Sequence, residues 1–234
     1  MKRDPPEPGR SPARMSVLSV HQLACRRGGR TVFARLDLTV AAGQALVLTG
    51  RNGSGKSSLL RCLALLTPTT SGDIRWENKP VRADPDAWRG RIGWLGHHDA
   101  IKPDLTPREL LAMAARLRGA EADGDAIEAA LAAYDLTPLA DRPGRYLSAG
   151  QKRRVGLARL LVSHCKIWLM DEPSTGLDEA SQHALSRALE THLVAGGVAL
   201  VATHDELRLT RSENLDVGAF AAAPAIDPDP EAWS

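Results

Sequence analysis

Apolar residues recur along the chain in short runs with the pattern of β-strands. These runs are residues 17–23, 31–40, 45–49, 91–95, 166–170 and 198–202. The last two, "KIWLM" and "VALVA", are almost entirely apolar rather than alternating. Strands that helices cover on both faces, as in a parallel sheet, have this composition. The pattern therefore predicts an α/β fold with a parallel sheet at its centre.

Other stretches have the longer period of amphipathic helices. They are residues 55–66, 107–118, 125–134, 149–164 and 179–195. The second places Leu110, Leu111 and Leu117 on one broad face, and Pro107 stands near its start, where proline is tolerated. Between about residues 97 and 150 the pattern contains helices and no convincing strand. We therefore expect a small helical subdomain at 97–150, inserted into the α/β core.

The two ends of the chain differ in composition from the part between them. Residues 1–14 are rich in Pro, Arg and Ser, which predicts a disordered extension, and they lack the apolar core of a secretory signal. Residues 213–234 end in a Pro-, Ala- and Asp-rich sequence without helical or strand periodicity, which predicts a C-terminal tail. The folded domain is expected to span residues 15–212.

Composition limits the classes of function. A chain of 234 residues with 43% apolar residues suits one globular domain, and its net charge of +2 gives no reason to expect a nucleic-acid partner. The longest apolar runs are far below the ~18–20 residues that span a bilayer. Cys25, Cys62 and Cys165 are scattered without zinc-site spacing, which predicts buried thiols in a reducing compartment. We therefore expect a cytoplasmic protein that reaches a membrane only through a partner.

The segment "GRNGSGKSS" at residues 50–58 lies between a predicted strand and a predicted helix. It fits the pattern G-x-x-x-x-G-K-[ST], in which bare backbone amides and a helix N-terminus surround phosphate groups. Lys56 is expected to balance β- and γ-phosphate charge, Ser57 to bind Mg²⁺ and Ser58 to reach the α-phosphate. The alternative is a flexible Gly/Ser turn, which the strand–helix context disfavours. The predicted nucleotide-binding residues of this loop are Gly50, Arg51, Asn52, Gly53, Ser54, Gly55, Lys56, Ser57 and Ser58.

An acidic pair follows the predicted strand "KIWLM". Asp171 comes at the carboxyl end of this strand, where ligands bind in α/β sheets, and it is the predicted second Mg²⁺ residue. Glu172 is the predicted general base for the hydrolytic water. The alternative is an acidic pair that only begins a turn before Pro173.

The segment "LSAGQKRR" at residues 147–154 predicts the start of another helix. Ser148 and Gln151 have the spacing of a capping box, and Gly150 leaves the first helical turn bare. Because the basic residues Lys152, Arg153 and Arg154 follow, we expect a second helix N-terminus that faces phosphate. One compact domain has no room for two helix N-termini around the same γ-phosphate. We therefore expect this second helix N-terminus to face the nucleotide of another subunit, packed head to tail. The alternative is an ordinary capped helix with a solvated basic face.

The chain resembles the nucleotide-binding domain of ABC transporters in five segments and in their order. These are the phosphate loop, "LSAGQ", "MDE", "STGLD" and "VATHD". The resemblance covers about residues 17–207. It implies a P-loop NTPase core with a small antiparallel β part, with ATP and Mg²⁺ as cofactors and catalysis by Lys56, Glu172 and His204. His204 would be the switch histidine that holds the γ-phosphate. The residues implied to complete the ATP site of a second subunit are Ser148, Gly150, Gln151 and Asp178.

The chain departs from the family pattern at two places. Members stack adenine on an aromatic residue near the first strand, but Arg27 stands at that place, either stacked on the base or exposed. Members also carry a glutamine after the strand that opens the helical subdomain, where this chain has His97 and His98. One of the two histidines is expected to replace that glutamine near Mg²⁺. A plain polar loop is the alternative, and metal or haem ligation by the pair is a lesser one.

Within the family, the chain resembles the ATP-binding subunits of the haem exporter of cytochrome c maturation, through "WLGHHDAIKPDLTPRELL", "LTPTTSGDIRW" and Trp168. This resemblance implies a dimer of ATP-binding subunits on integral-membrane partners, peripheral to the cytoplasmic face of the inner membrane, without direct haem binding. The alternatives are export of another cargo, a soluble ABC ATPase acting on nucleic acid or ribosomes, and a kinase-like P-loop enzyme. The last two fit poorly, because the chain has one cassette, no coiled-coil arm and an "LSAGQ" segment.

Overall fold

The computed structural model describes residues 16–119, 123–205, 207 and 209–221 of the chain. The predicted extension at 1–14 lies outside the described residues. All the predicted strands and helices are present, which confirms the α/β class. The strands are β1 Ser16–Arg27, β2 Arg30–Ala41, β3 Ala45–Thr49, β4 Ser71–Trp76, β5 Lys79–Pro80, β6 Ile92–Leu95, β7 Ile167–Asp171, β8 Val198–Ala202 and β9 Ser212–Asp216. The helices are α1 Lys56–Leu63, α2 Pro85–Gly90, α3 Pro107–Arg116, α4 Gly124–Ala133, α5 Ala149–Val162 and α6 Glu179–Val194.

The strands form two sheets. Four strands pair antiparallel in the order β2-β1-β4-β5, and five pair parallel in the order β6-β7-β8-β3-β9. Along β7, Ile167 and Leu169 belong to the core shared with the antiparallel sheet, whereas Trp168 and Met170 belong to the core shared with the helices. Both faces of β7 and β8 are therefore buried, as their apolar sequences predict.

Between β6 and α5, the described residues contain α3, α4 and short 3₁₀ turns. Thr106 begins α3 with a capping box, in which its hydroxyl accepts from the Glu109 backbone and the Glu109 carboxylate accepts from the Thr106 backbone. Leu110 and Leu111 of α3 and Leu131 of α4 are fully buried in the core that also contains α5. This packing fixes the helical part to α5, the helix that begins at the "LSAGQ" segment.

The predicted boundary at residue 212 needs a correction. Residues Ser212–Asp216 form β9, which pairs in parallel with β3 and covers its outer edge. Val217 follows and is fully buried, while the backbone of Ala221 forms a β-bridge with Phe33. The domain therefore continues through residue 221, and the rest of the predicted tail lies outside the described residues.

The three cysteines are buried and free, as predicted. Desolvation raises the pKa of the Cys62 thiol to about 12, with the neighbouring Cys25 as a second cause. Burial likewise raises the pKa of Cys165. At neutral pH the Cys62 and Cys165 thiols are therefore protonated, and all three cysteines serve as small apolar core residues.

Candidate nucleotide-binding site

The phosphate loop lies between β3 and α1, as the sequence predicts. Gly55 precedes the helix with φ 106°, and a Cβ there would lie 2.8 Å from the Cγ1 of Val32, so only glycine fits. No side chain in the described part of the chain caps α1, which leaves its first-turn amides available. The Ser54 hydroxyl oxygen in the same loop is buried and has no hydrogen-bond partner among the described residues. Free amides and an orphaned hydroxyl are the donor set that phosphate oxygens require.

Lys56 is buried beneath this loop, with 7% of its surface exposed. Its ammonium group donates to the Gly50 carbonyl oxygen over 2.7 Å and lies 3.2 Å from His204 Nε2. Asn52 Oδ1 lies 2.9 Å from the same nitrogen, so Nε2 stands between a donor and an acceptor. The structure thus gathers the loop lysine and the predicted switch histidine, which are far apart in sequence.

The Ser57 hydroxyl donates to Asp171 Oδ1 over 2.9 Å. Asp171 is buried at the carboxyl end of β7, the position predicted for it. A hydroxyl oxygen beside a carboxylate is the oxygen-only donor set that Mg²⁺ prefers. These two residues therefore fit the predicted magnesium site.

Glu172 begins the turn after β7 and has left-handed backbone geometry, with φ 48°. Its amide donates to the Ala202 carbonyl oxygen over 2.8 Å, which ties the turn to β8. Its carboxylate lies 3.7 Å from His204 Nε2 and is one-quarter exposed. Glu172 therefore stands beside His204 with its carboxylate partly open to water.

A cavity of about 1180 Å³ opens over these groups. Arg27 is exposed and lines it, together with residues 52–58, Asp171 and Glu172. Sequence reasoning missed Trp94, at the end of β6, although an aromatic residue beside a polar loop is a detectable signal. The other lining residues that were missed are Gly28, Val32, Arg61, Leu66, Thr67 and Gly96.

His97 and His98 are both exposed on the wall of this cavity, with ring centroids 5.3 Å apart. They also line a smaller cavity with Lys152. Either histidine therefore remains a candidate for the glutamine position. Asp99, the next residue, instead pairs with Arg153, with 2.8 Å between Asp99 Oδ1 and Arg153 Nη1.

The "LSAGQ" segment forms the predicted capping box. The Ser148 amide donates to Gln151 Oε1 over 2.8 Å, and the Gln151 amide donates to the Ser148 hydroxyl oxygen over 3.2 Å. A Cβ on Gly150 would lie 2.9 Å from the Gly176 carbonyl oxygen, so a bare residue is required at this approach. Asp178 caps α6 by accepting from the Ser181 amide, and hydrogen bonding from Ser181 lowers the pKa of the Asp178 carboxyl.

Ser148, Gly150, Gln151 and Asp178 line one cavity of about 290 Å³. None of these four residues lines the larger cavity over the phosphate loop. The structure thus sorts the predicted residues into two groups on separate surfaces, one around the loop and one around the start of α5.

The expectation of a basic, phosphate-facing start of α5 is wrong for Arg153. Arg153 is 4% exposed and donates inward to the loop after β6 and to the last residue of β7, because buried carbonyl groups need donors. Arg154 donates to the Tyr134 carbonyl oxygen, which ties α5 to the end of α4, and it also lines the cavity beside Ser148 and Gly150. Across the described parts of the chain, no helix has the length and apolar character to cross a membrane.

Comparisons with known proteins agree with this geometry. The family described as "ABC transporter" matches residues 33–175. The "Cytochrome c biogenesis ATP-binding export protein CcmA" of Paramagnetospirillum magneticum is 47% identical over 213 residues, covering 90% of this chain and 98% of the relative. The protein of the same name from Rhodospirillum rubrum is 46% identical, covering 94% of each chain.

Solved structures share the fold. An ABC transporter ATP-binding protein from Pyrococcus furiosus superposes with a TM-score of 0.77 and 24% identity, covering 88% of this chain and all of the other. The structure of another ATP-binding subunit of an ABC transporter gives a TM-score of 0.79 at 23% identity, covering 87% of each chain.

Proposed function

The chain belongs to the ABC transporter family, and from that premise we propose that it is the ATP-hydrolysing subunit of a membrane exporter that serves c-type cytochrome biogenesis, with haem as cargo. The observation that carries the ATPase part is the grouping of Lys56, Asp171 and Glu172 on one cavity, with His204 beside Lys56 and Glu172. The pathway rests on the relatives named for export in cytochrome c biogenesis.

The proposed chemistry follows from the positions of the side chains. The loop amides and Lys56 hold the ATP phosphates, and Lys56 balances the charge that grows on the γ-phosphoryl oxygens. Mg²⁺, held by Ser57 and Asp171, supplies further charge neutralisation when it is bound. Glu172 accepts a proton from the attacking water, and His204 orients the γ-phosphate. Arg27 contacts the adenine.

We propose that two subunits face each other head to tail. Each phosphate loop would then receive Ser148, Gly150, Gln151 and Asp178 from the second chain. The separation of these residues from the loop cavity supports this arrangement, because one chain alone presents two incomplete surfaces. ATP binding would close the dimer, and hydrolysis would open it.

The proposed site of coupling is the segment at 97–118, which leaves the nucleotide cavity at His97 and continues into α3. Integral-membrane subunits would dock there and hold the chain at the cytoplasmic face of the inner membrane. In this proposal the chain performs conformational work and binds neither haem nor nucleic acid. Export of another cargo is the second candidate, since the residues around ATP do not touch the cargo.

The two loop histidines can be separated by substitution. We expect either His97→Ala or His98→Ala to lower the ratio of partner-stimulated to basal ATPase activity about tenfold, because one ring replaces the glutamine that couples nucleotide and partner. The other substitution should leave this ratio unchanged. The measurement is ATP turnover by the chain with and without its membrane subunits. An unchanged ratio in both variants would refute the substitution of glutamine by histidine.

The pathway is tested in a strain whose only copy of this chain carries Lys56→Ala. Covalent haem in c-type cytochromes, detected by haem staining of membrane proteins, should fall to background, because the loop lysine is lost and ATP turnover with it. Haem in b-type cytochromes should stay at wild-type levels. Normal c-type cytochromes, with ATP turnover abolished, would reject the haem pathway and favour another cargo.

A further inference from the structure

The guanidinium group of Arg153 uses all five of its N–H groups. Nε donates to the Pro173 carbonyl oxygen over 3.2 Å, and Nη1 donates to the Gly96 carbonyl oxygen and to Asp99 Oδ1, each over 2.8 Å. Nη2 donates to the carbonyl oxygens of Asp171, over 2.8 Å, and Glu172. An arginine has five N–H donors in a fixed fork, so this set is complete.

These bonds join three segments that are distant in sequence. Arg153 stands on α5, five residues after Ser148, while its partners lie in the loop after β6 and in the turn after β7. The side chain is 5% exposed, so water does not compete for these acceptors. Asp99 is the one carboxylate among the acceptors and balances the buried charge.

The turn that Arg153 holds is the one that carries the proposed general base. The left-handed backbone of Glu172 is unfavourable for a residue with a Cβ. The Glu172 amide is fixed by Ala202 and its carbonyl oxygen by Arg153. Both ends of this residue are therefore tied, which sets the direction in which its carboxylate leaves the backbone.

We propose that Arg153 is a positioning residue that holds the Glu172 carboxylate and the His97–His98 loop in a fixed position relative to α5. The inference rests on the proposed function, because it assigns Arg153 to the same hydrolysis. When the start of α5 meets the nucleotide of a second subunit, its displacement reaches Glu172 through this side chain. Arg153 thus links the surface at Ser148 to the proton acceptor of its own chain.

The test compares Arg153→Lys with the wild type, using the full-length chain purified with the membrane proteins that remain bound to it. Lysine keeps the charge but has three donors on a single nitrogen, so it cannot serve three segments. We expect kcat for ATP to fall at least about tenfold and KM to change less than about threefold, because the phosphate loop is untouched. An unchanged kcat per bound nucleotide would overturn the proposal.

Arg159→Lys is the matched control. Arg159 lies on the same helix and donates to the carbonyl oxygens of Asp99 and Ala100, but it makes no bond to residues 171–173. This variant therefore weakens only the anchoring of the loop after β6. Its kcat should stay within about twofold of wild type. A tenfold loss in Arg159→Lys as well would overturn the assignment to Glu172.

A double variant excludes a merely structural role. In a Glu172→Gln background the carboxylate is already gone, so Arg153→Lys should lower kcat by less than about twofold more. A full tenfold further loss would show that Arg153 does not act through Glu172. Haem staining of c-type cytochromes separates this result from the pathway proposal. If kcat falls in Arg153→Lys while c-type cytochromes form normally in the Lys56→Ala strain, the haem pathway fails and the positioning role stands.

Discussion

ATP turnover should fall about 100-fold or more when Glu172 is replaced by Gln, while ATP binding persists, because a general base contributes 10²–10⁴-fold. The glutamine amide cannot accept the proton of the attacking water, but it keeps the size of the side chain. The side chains proposed to bind the phosphates and Mg²⁺ (Lys56, Ser57 and Asp171) are held by contacts that do not involve the Glu172 carboxylate. A 100-fold loss corresponds to about 2.7 kcal/mol of transition-state stabilisation.

The measurement pairs single-turnover hydrolysis with equilibrium binding of labelled ATP. Glu213→Gln is the matched control, since Glu213 is an exposed glutamate on β9, at the outer edge of the parallel sheet. It should hydrolyse ATP at the wild-type rate. A Glu172→Gln chain with wild-type turnover would remove Glu172 as the base. A chain that fails to bind ATP would instead indicate that the substitution disturbs the phosphate loop.

The central sheet was predictable because its strands are buried. The strands β7 and β8 are packed on both faces, so nearly all of their residues are apolar and the sequence shows it directly. In contrast, β9 has the sequence "SENLD", whose side chains are exposed or half-buried at the edge of the sheet. Its position is set by backbone hydrogen bonding with β3, and a pattern of hydrophobic residues does not reveal such pairing.

Short elements were missed for a related reason. The strand β4 buries one residue of six, Ile74, and the six-residue helix α2 buries only Trp88. The indole of Trp88 donates to the Leu63 carbonyl oxygen over 2.7 Å, so a tertiary contact fixes this helix. Neither element has enough residues to show a period.

The residues of the candidate site also divide into those that the sequence predicts and those that it does not. The phosphate loop, Asp171 and Glu172 were predictable because their chemistry follows from spacing and from the strand that precedes them. Arg153 was not, because a basic residue after a helix cap has the same pattern whether it faces phosphate or buried carbonyl groups. Only the approach of α5 to the end of β7 decides between the two. The choice between His97 and His98 likewise depends on groups outside one chain.

Two inactive variants should restore activity to each other when their chains are mixed. Lys56→Ala removes the loop cation, and Gly150→Asp adds a carboxylate and a Cβ at the start of α5, 2.9 Å from Gly176. Each variant alone should lose about 100-fold or more of its ATP turnover, because both sites of its dimer are damaged. In a mixed dimer, one site combines two damaged surfaces and the other combines two intact ones.

The expected recovery is about a quarter of the wild-type rate, because half of the dimers formed at random are mixed and each holds one intact site. The assay is ATP turnover of chains mixed in equal amounts before assembly. Gly124→Asp is the matched control, since a Cβ at Gly124 meets no atom of the described residues within 4 Å, and this variant should be active alone. A site built within one chain predicts no recovery on mixing, since every chain then carries its own defect. Recovery therefore requires that Gly150 of one subunit serve the phosphate loop of the other.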